Sequence, residues 1–255
     1  MSSDLWVSRC AVRQVGALLL MSLLGACTPL PRGAGIPTQW QPSPNFGERV
    51  PTFVVIHYTG DDSAAAALNT LSSRRAEVSA HYLIVRDGTI IQLVDERSRA
   101  WHAGDSRWGS AIDLNSASIG IELDNNGRTP YPQTQIDALL NLLSDISRRY
   151  RIPAANVLGH SDVAPQRKVD PGPLFPWRAL ATRGFGLWCD PPYPEPPPGF
   201  DAMLGLRAIG YDVRDPAAAV SAFRMHYAPE LRSTGELAER ERALIHCLLQ
   251  APAAP

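Results

Sequence analysis

The chain has 255 residues, 45% of them hydrophobic, with 24 basic and 25 acidic side chains and a formal net charge of −1. That length suits one medium domain plus a small one, with ample material for a core. A pI near 6.6 leaves no global field that would draw the chain to nucleic acid or to an anionic membrane surface.

Arg9 and Arg13 precede an apolar stretch from Val15 to Leu24. It is too short to span a bilayer and suits the core of a signal peptide over residues 1–26. It ends in Leu24-Gly25-Ala26-Cys27, which resembles the lipobox of bacterial lipoproteins. In that family the residue matching Cys27 carries lipid and becomes the mature N-terminus. A plain secretory signal cut near Ala26 is the alternative, and a cysteine straight after Leu-x-Ala favours the first reading. Thr28 rather than an aspartate follows, so the resemblance implies a lipid-anchored protein on the periplasmic side of the outer membrane. Residues 27–50, rich in Pro, Gly and Ser, read as a tether.

A first domain is expected over 51–189. Phe53-Val54-Val55-Ile56 is a short β-branched run typical of a buried strand, closed by His57-Tyr58-Thr59. Asp61 or Asp62 can cap an alanine-rich helix over 64–71. Tyr82 to Val85 and Ile90 to Val94, joined through Asp87-Gly88, read as a hairpin. Ser118 to Leu123 is another strand. Ile136, Leu139, Leu140, Leu143 and Ile146 recur at helical spacing and predict a helix over about 133–150. Val157-Leu158 ends a last strand. Strands alternating with helices around one hairpin predict an α/β fold, a mixed central sheet flanked by helices.

Residues 190–199 hold six prolines and read as a stiff linker. Beyond them a small all-α domain of three helices is expected over 200–250: one near 201–209, one over 216–226 with Asp215 as cap and Pro216 at its first position, and one over 235–249. Cys10 leaves with the signal and Cys27 carries lipid, so Cys189 and Cys247 remain. In an oxidising compartment they can pair, or Cys247 can serve as a small buried hydrophobe. No Cys-x-x-Cys pattern is present, which argues against a thiolate zinc knot.

Within the basic set usage is lopsided. Lys168 is the one lysine, and arginine carries positive charge everywhere else. A compact ammonium and a wide guanidinium fork are not interchangeable, so position 168 reads as one that needs the ammonium. It stands between His160 and Asp170 on a loop that follows a strand. His57 ends another strand, so His57, His160 and Asp170 can form a His₂Asp zinc set with an open fourth position. Glu122, behind the apolar Ile119-Gly120-Ile121, is a carboxylate whose burial demands a partner or a task. Metal, base and cation together make a hydrolase for an amide bond. An ion pair of Glu122 with an arginine, and of Lys168 with Asp162 or Asp170, are the structural alternatives.

Five ordered motifs then identify the chain. They are Val54 to Thr59, Ser79-Ala80-His81-Tyr82-Leu83-Ile84, Ala100-Trp101-His102-Ala103-Gly104, Ser118 to Glu122, and Gly159-His160-Ser161-Asp162 with Lys168-Val169-Asp170-Pro171-Gly172. Together they resemble the zinc-dependent N-acetylmuramoyl-L-alanine amidases, which share their fold with peptidoglycan recognition proteins. The resemblance implies His57, His160 and Asp170 as Zn2+ ligands, Glu122 as general base and Lys168 as the cation that stabilises the tetrahedral intermediate. It implies a peptidoglycan or muropeptide substrate. Trp101, His102, Asn115 and Ser118 are further candidates for the substrate groove, and His81 reads as a structural histidine. Leu204 to Tyr211 with Ala219 to Arg224 resembles the helical peptidoglycan-binding domain often fused to such enzymes; a helical cap that completes the core is the alternative. A wall-binding module without catalysis, and a zinc peptidase cutting within the stem peptide, are the competing functions.

Overall fold

The computed structural model describes residues 35–44, 46–48, 51–231 and 235–251. The signal segment and Cys27 lie outside the described residues, and among these no helix is long and apolar enough to cross a membrane. In chain order the elements are β1 (Gln39–Trp40), β2 (Phe46–Glu48), β3 (Phe53–Tyr58), α1 (Ala64–Leu71), β4 (Tyr82–Ile84), β5 (Ile90–Gln92), β6 (Ser98–Ala100), α2 (Leu114–Ala117), β7 (Ser118–Leu123), α3 (Gln133–Tyr150), β8 (Val157–Gly159), α4 (His160–Val163), α5 (Trp177–Ala181), α6 (Ala202–Ile209), α7 (Pro216–Tyr227) and α8 (Glu239–Gln250).

Six strands form a mixed sheet in the order β1-β5-β4-β7-β3-β8, and β2 pairs with β6 in a separate ribbon. The centre of the sheet is parallel: β3 runs alongside both β7 and β8. The β4–β5 hairpin is antiparallel, and its turn places Gly88 at φ +91, a conformation suited to glycine.

Side chains alternate across a strand, so each strand divides its residues between two faces. Val54, Ile56, Ile119, Ile121 and Leu123 pack with Ile136, Leu139, Leu143 and Ile146 of α3 in one core cluster. Val55, His57, Ser118, Gly120 and Glu122 therefore share the opposite face. Register pairs His57 with Glu122 side by side at the C-terminal ends of β3 and β7, and β8 delivers His160 just beyond its own C-terminal end. In open α/β sheets, ligands bind at these carboxyl ends.

Several details depart from the sequence expectations. The chain joins the sheet before residue 50, because β1 pairs with β5 and β2 with β6, so the tether does not extend across 27–50 as a free segment. The cap of α1 is Ser63, whose hydroxyl accepts from the Ala66 amide, rather than Asp61 or Asp62. Helix α8 starts at Glu239 rather than near 235, where the Glu241 carboxylate reaches back to the Ala238 amide. Helix α7 follows its expected cap, Asp215, and α6 is capped by Asp201, whose carboxylate accepts from the Met203 and Leu204 amides. Cys189 and Cys247 form a disulfide.

The three C-terminal helices do not keep a core of their own. Leu206, Tyr211, Ala219, Ala222, Phe223 and Leu248 pack in one cluster with Val55, Ala103, Trp108, Leu114, Leu158 and Val163 from the sheet and its loops. Phe223 is fully buried there. Phe223→Ala is expected to cost about 3–5 kcal/mol. Because the core is shared, it should lower one cooperative transition; sheet and helices melting separately by circular dichroism and tryptophan fluorescence would contradict the shared core.

Candidate metal centre

His57 and His160 are almost fully buried, and so is Asp170. Their donor atoms converge. His57 Nδ1 lies 2.9 Å from His160 Nδ1 and 3.1 Å from Asp170 Oδ2, and His160 Nδ1 lies 3.0 Å from the same oxygen. Among the described residues these three form the group able to hold a metal ion.

The outward bonds of the two imidazoles show where their protons sit. His160 Nε2 is 3.1 Å from the Ala103 carbonyl, an acceptor only, so that nitrogen carries the proton. The same logic runs along a chain behind His57. The Ser118 hydroxyl donates to the Leu114 carbonyl, so its oxygen accepts from His102 Nε2 at 3.2 Å. His102 Nδ1 then has a lone pair to accept the His57 Nε2 proton at 3.0 Å. Both Nδ1 atoms are left as lone pairs facing a carboxylate oxygen. Three acceptors about 3 Å apart with no proton among them repel one another, and a cation resolves the conflict. A tetrahedral ion with bonds near 2.0–2.2 Å sets its ligand atoms about 3.3 Å apart, so the triangle fits with a few tenths of an ångström of expansion.

Electrostatics agree with this arrangement. Burial, then the neighbouring His160, lowers the His57 pKa to about 4, so the ring is neutral as a metal ligand must be.

The supports are built from backbone. Asn115 Oδ1 accepts from the amides of His102 and Ala103 at 2.8 and 2.7 Å, which fixes the loop carrying the Ala103 carbonyl. Arg167 Nη2 donates to that same carbonyl at 2.9 Å and to the Asp105 carbonyl. The Ser161 amide donates to the Asp170 carbonyl at 2.8 Å, closing the loop between two ligands. His102 fits behind β7 because residue 120 is glycine: a Cβ there would fall 2.4 Å from the imidazole.

The three donors open onto a cleft of about 390 Å³ that is also lined by Glu122, Lys168, Trp101, His102 and Tyr58. Glu122 Oε2 is buried with no hydrogen-bond partner. Burial first, and then the charge of Asp170, raises the Glu122 pKa to about 8. Neither structural alternative for this pair of residues is present: among the described residues Glu122 makes no ion pair with an arginine, and Lys168 makes none with Asp162 or Asp170. Trp101 and His102 line the cleft. Asn115 and Ser118 do not; they lie behind its wall, bonded as described. His81 accepts from the Gly120 amide at Nδ1 and donates to the Ser98 carbonyl at Nε2, a strand-stitching role. Sequence reasoning did not single out Gly120 or Arg167, and it offered Asp162 only as an ion-pair partner for Lys168. A glycine inside an apolar strand is a signal of close approach, and could have flagged Gly120.

Residues 47–173 match the family model described as N-acetylmuramoyl-L-alanine amidase. The chain is 41% identical over 229 residues to the N-acetylmuramoyl-L-alanine amidase AmiD of Escherichia coli (strain K12), covering 77% of this chain and 82% of that protein. A structure of E. coli AmiD in complex with the substrate anhydro-N-acetylmuramic acid-L-Ala-D-gamma-Glu-L-Lys superposes with a TM-score of 0.71 at 39% identity, covering 80% of this chain and 90% of that one. AMPDH3 from Pseudomonas aeruginosa, in complex with anhydromuramic pentapeptide, gives a TM-score of 0.71 at 35% identity over 82% of this chain and 95% of that one.

Two outcomes are expected. His102→Ala removes the acceptor behind His57, and Gly120→Ala displaces it; each should weaken metal binding by about 10–100-fold in chelator competition, and parental affinity in both would show that His57 needs no outside acceptor. Glu122 has a folded-state pKa above its unfolded value of 4.5, so ionising it costs stability as pH rises from there through about 8. Glu122→Gln should therefore raise the melting temperature of the metal-free protein at pH 8, with the gain vanishing towards pH 4.5.

Proposed function

The chain belongs to the N-acetylmuramoyl-L-alanine amidase family, and from that premise we propose a zinc hydrolase in which Glu122 and Lys168 do the proton and charge work, acting on peptidoglycan or on anhydromuropeptides released from it. It cleaves the amide that joins N-acetylmuramic acid to L-alanine of the stem peptide. The observation that carries the reading is the acceptor triangle of His57, His160 and Asp170 opening onto the same cleft as an unpartnered carboxylate and an ammonium.

Nitrogen and carboxylate donors in this number suit zinc, which when bound supplies Lewis acidity to water and to a carbonyl. Glu122 takes a proton from the water that attacks the scissile carbonyl carbon. It returns that proton to the alanine nitrogen, so the C–N bond breaks and a neutral amine leaves. Lys168 meets the negative charge that builds on the carbonyl oxygen. Without a cation, the charge on Asp170 is one cause that keeps Glu122 protonated. A cation against Asp170 would remove that cause and ease the ionisation of Glu122, while burial, the larger cause, stays. Trp101 gives the cleft a broad apolar wall for sugar or peptide, and His102 its buried floor.

The AmiD and AMPDH3 structures hold anhydromuramic peptides, which supports the same class of substrate here. The Leu24 to Cys27 motif supports a lipid anchor on Cys27 and a place on the periplasmic face of the outer membrane. An open groove of about 1040 Å³ lined by Leu174, Met203, Val220 and Met225 supports engagement of wall polymer by the C-terminal helices.

Mass spectrometry of digested muropeptides tests the activity. Free stem peptides are expected. Shortened peptides would mean a peptidase, and unchanged material a binding module. Chelation should abolish cleavage and zinc restore it; full turnover by metal-stripped His160→Ala would refute the metal reading. Glu122→Gln should lower kcat by about 10²–10⁴-fold with zinc content retained. Lys168→Arg keeps the charge but changes its shape, and should cut turnover by about 10²-fold with zinc content nearly unchanged.

A further inference from the structure

We infer that the C-terminal helices belong to the scaffold of the metal centre: Tyr211 and His226 are positioning residues that act through Asp162 on the ligand His160. The inference rests on the metal reading of His57, His160 and Asp170.

Helix α4 is four residues long and carries His160 at its first position. A helix that short has no stability of its own, so something outside it must set its orientation. Asp162, two residues after the ligand, is fully buried. A buried carboxylate is tolerated only when its oxygens are bonded. Here Oδ1 accepts from the Tyr211 hydroxyl at 2.6 Å, and Oδ2 accepts from His226 Nδ1 at 2.7 Å and from the Gly159 amide at 2.7 Å. One donor is local and closes the start of α4. The other two come from 49 and 64 residues further along the chain.

Neither distant donor is free to follow if Asp162 moves. The His226 ring is sandwiched between Trp177 and Tyr227, with centroid distances of 3.8 and 3.9 Å and planes within 14° and 10°. The Tyr211 ring packs edge-on against Trp108 at 4.9 Å. Trp108 in turn lies flat on Gly210, where an added Cβ would fall 2.3 Å from the indole, and the Gly109 amide bonds to the Gly210 carbonyl at 2.8 Å. The other end of α4 is also tied, with the Arg107 amide on the Val163 carbonyl at 2.7 Å. Three rigid donors on one carboxylate fix the rotation of α4 about its axis, and with it the direction in which His160 presents Nδ1. Sites need first-shell groups held within about 0.5 Å by such supports.

A joint that merely glues two halves together would lose stability when cut, yet leave the metal site as it was. The test separates the two roles in the full-length protein. Tyr211→Phe removes one oxygen, His226→Leu removes the second donor, and His226→Gln restores an N–H. Leu248→Ala is the control, since it cuts the shared core far from Asp162. Zinc affinity by chelator competition, the visible spectrum of the cobalt-loaded protein, kcat and KM on a muropeptide, and the melting temperature are read for each.

Tyr211→Phe and His226→Leu should bind zinc about 10-fold more weakly, shift the cobalt spectrum, and lower kcat about 10-fold with KM within about twofold. His226→Gln should recover most of each loss, and Leu248→Ala should lose melting temperature alone. Parental zinc affinity and cobalt spectrum in Tyr211→Phe and His226→Leu would overturn the inference. So would an equal loss of affinity in Leu248→Ala. Should His226→Leu fail to fold, Tyr211→Phe decides by itself. A parent protein that binds no zinc sinks the metal reading and this inference with it; a parent that binds zinc no more tightly than Tyr211→Phe sinks this inference alone.

Discussion

Two buried imidazole lone pairs facing a buried carboxylate oxygen repel one another until a cation enters, and the rest of this structure serves to hold them in that position. The repulsion cannot be relieved by turning a ring. His160 is held by its bond to the Ala103 carbonyl, and His57 by the chain through His102 and Ser118 to the Leu114 carbonyl. Nor can His57 relieve it by taking up a proton near neutrality, because burial and the neighbouring His160 lower its pKa to about 4. Folding free energy is thus stored as affinity for a cation.

The supports differ in kind according to where each ligand sits. His57 lies on a central strand, where register with β7 already fixes its neighbours. His160 opens the four-residue α4 and Asp170 lies on the loop after it, where the backbone alone would leave them loose. The loop is tied at several points: Ser161 to Asp170, Arg167 to Ala103 and Asp105, Asn115 to the amides of His102 and Ala103. The ties to Ala103 and from Asn115 are buried or half-buried polar bonds, costly if half made and rigidifying when complete. The pairing of Glu122 with the same cleft follows the other rule. Burial pushes a carboxyl with no partner towards its neutral form, which suits the proton exchange proposed for Glu122.

The sequence made the sheet legible because its signals are local. Continuous apolar runs such as Phe53 to Ile56 and the 3.6-period stripe of α3 report their own burial, and the five motifs carry the ligands by type and spacing. The parts that stayed hidden depend on tertiary contact. Strands β1 and β2 are two and three residues long and exist through pairing with β5 and β6, so no periodicity announces them. His102, Asn115 and Ser118 were legible as members of a site, but not that Asn115 and Ser118 stand behind the ligands rather than in the groove. Residue type marks a polar group, while only the fold shows which way it faces. Asp162 was legible only as a possible ion-pair partner of Lys168, since its actual partners Tyr211 and His226 come from helices that looked like a separate domain.

The contrast between Arg167 and Lys168 shows what a substitution between like charges would change. The guanidinium at 167 spends its donors on two backbone carbonyls, a task that suits a planar fork with several N–H groups. The ammonium one residue later makes no ion pair among the described residues and lines the cleft beside Glu122 and Asp170. A guanidinium there would be wider, and could reach the Asp170 carboxylate with two bonds at once, competing with the metal for its own ligand. A compact ammonium cannot grip in that way, which fits the role proposed for it, meeting charge on a substrate oxygen. The bias that leaves one lysine among 24 basic residues thus has a physical reading. Arginine serves wherever charge must bind protein, and lysine stands at the position where charge must be kept from doing so.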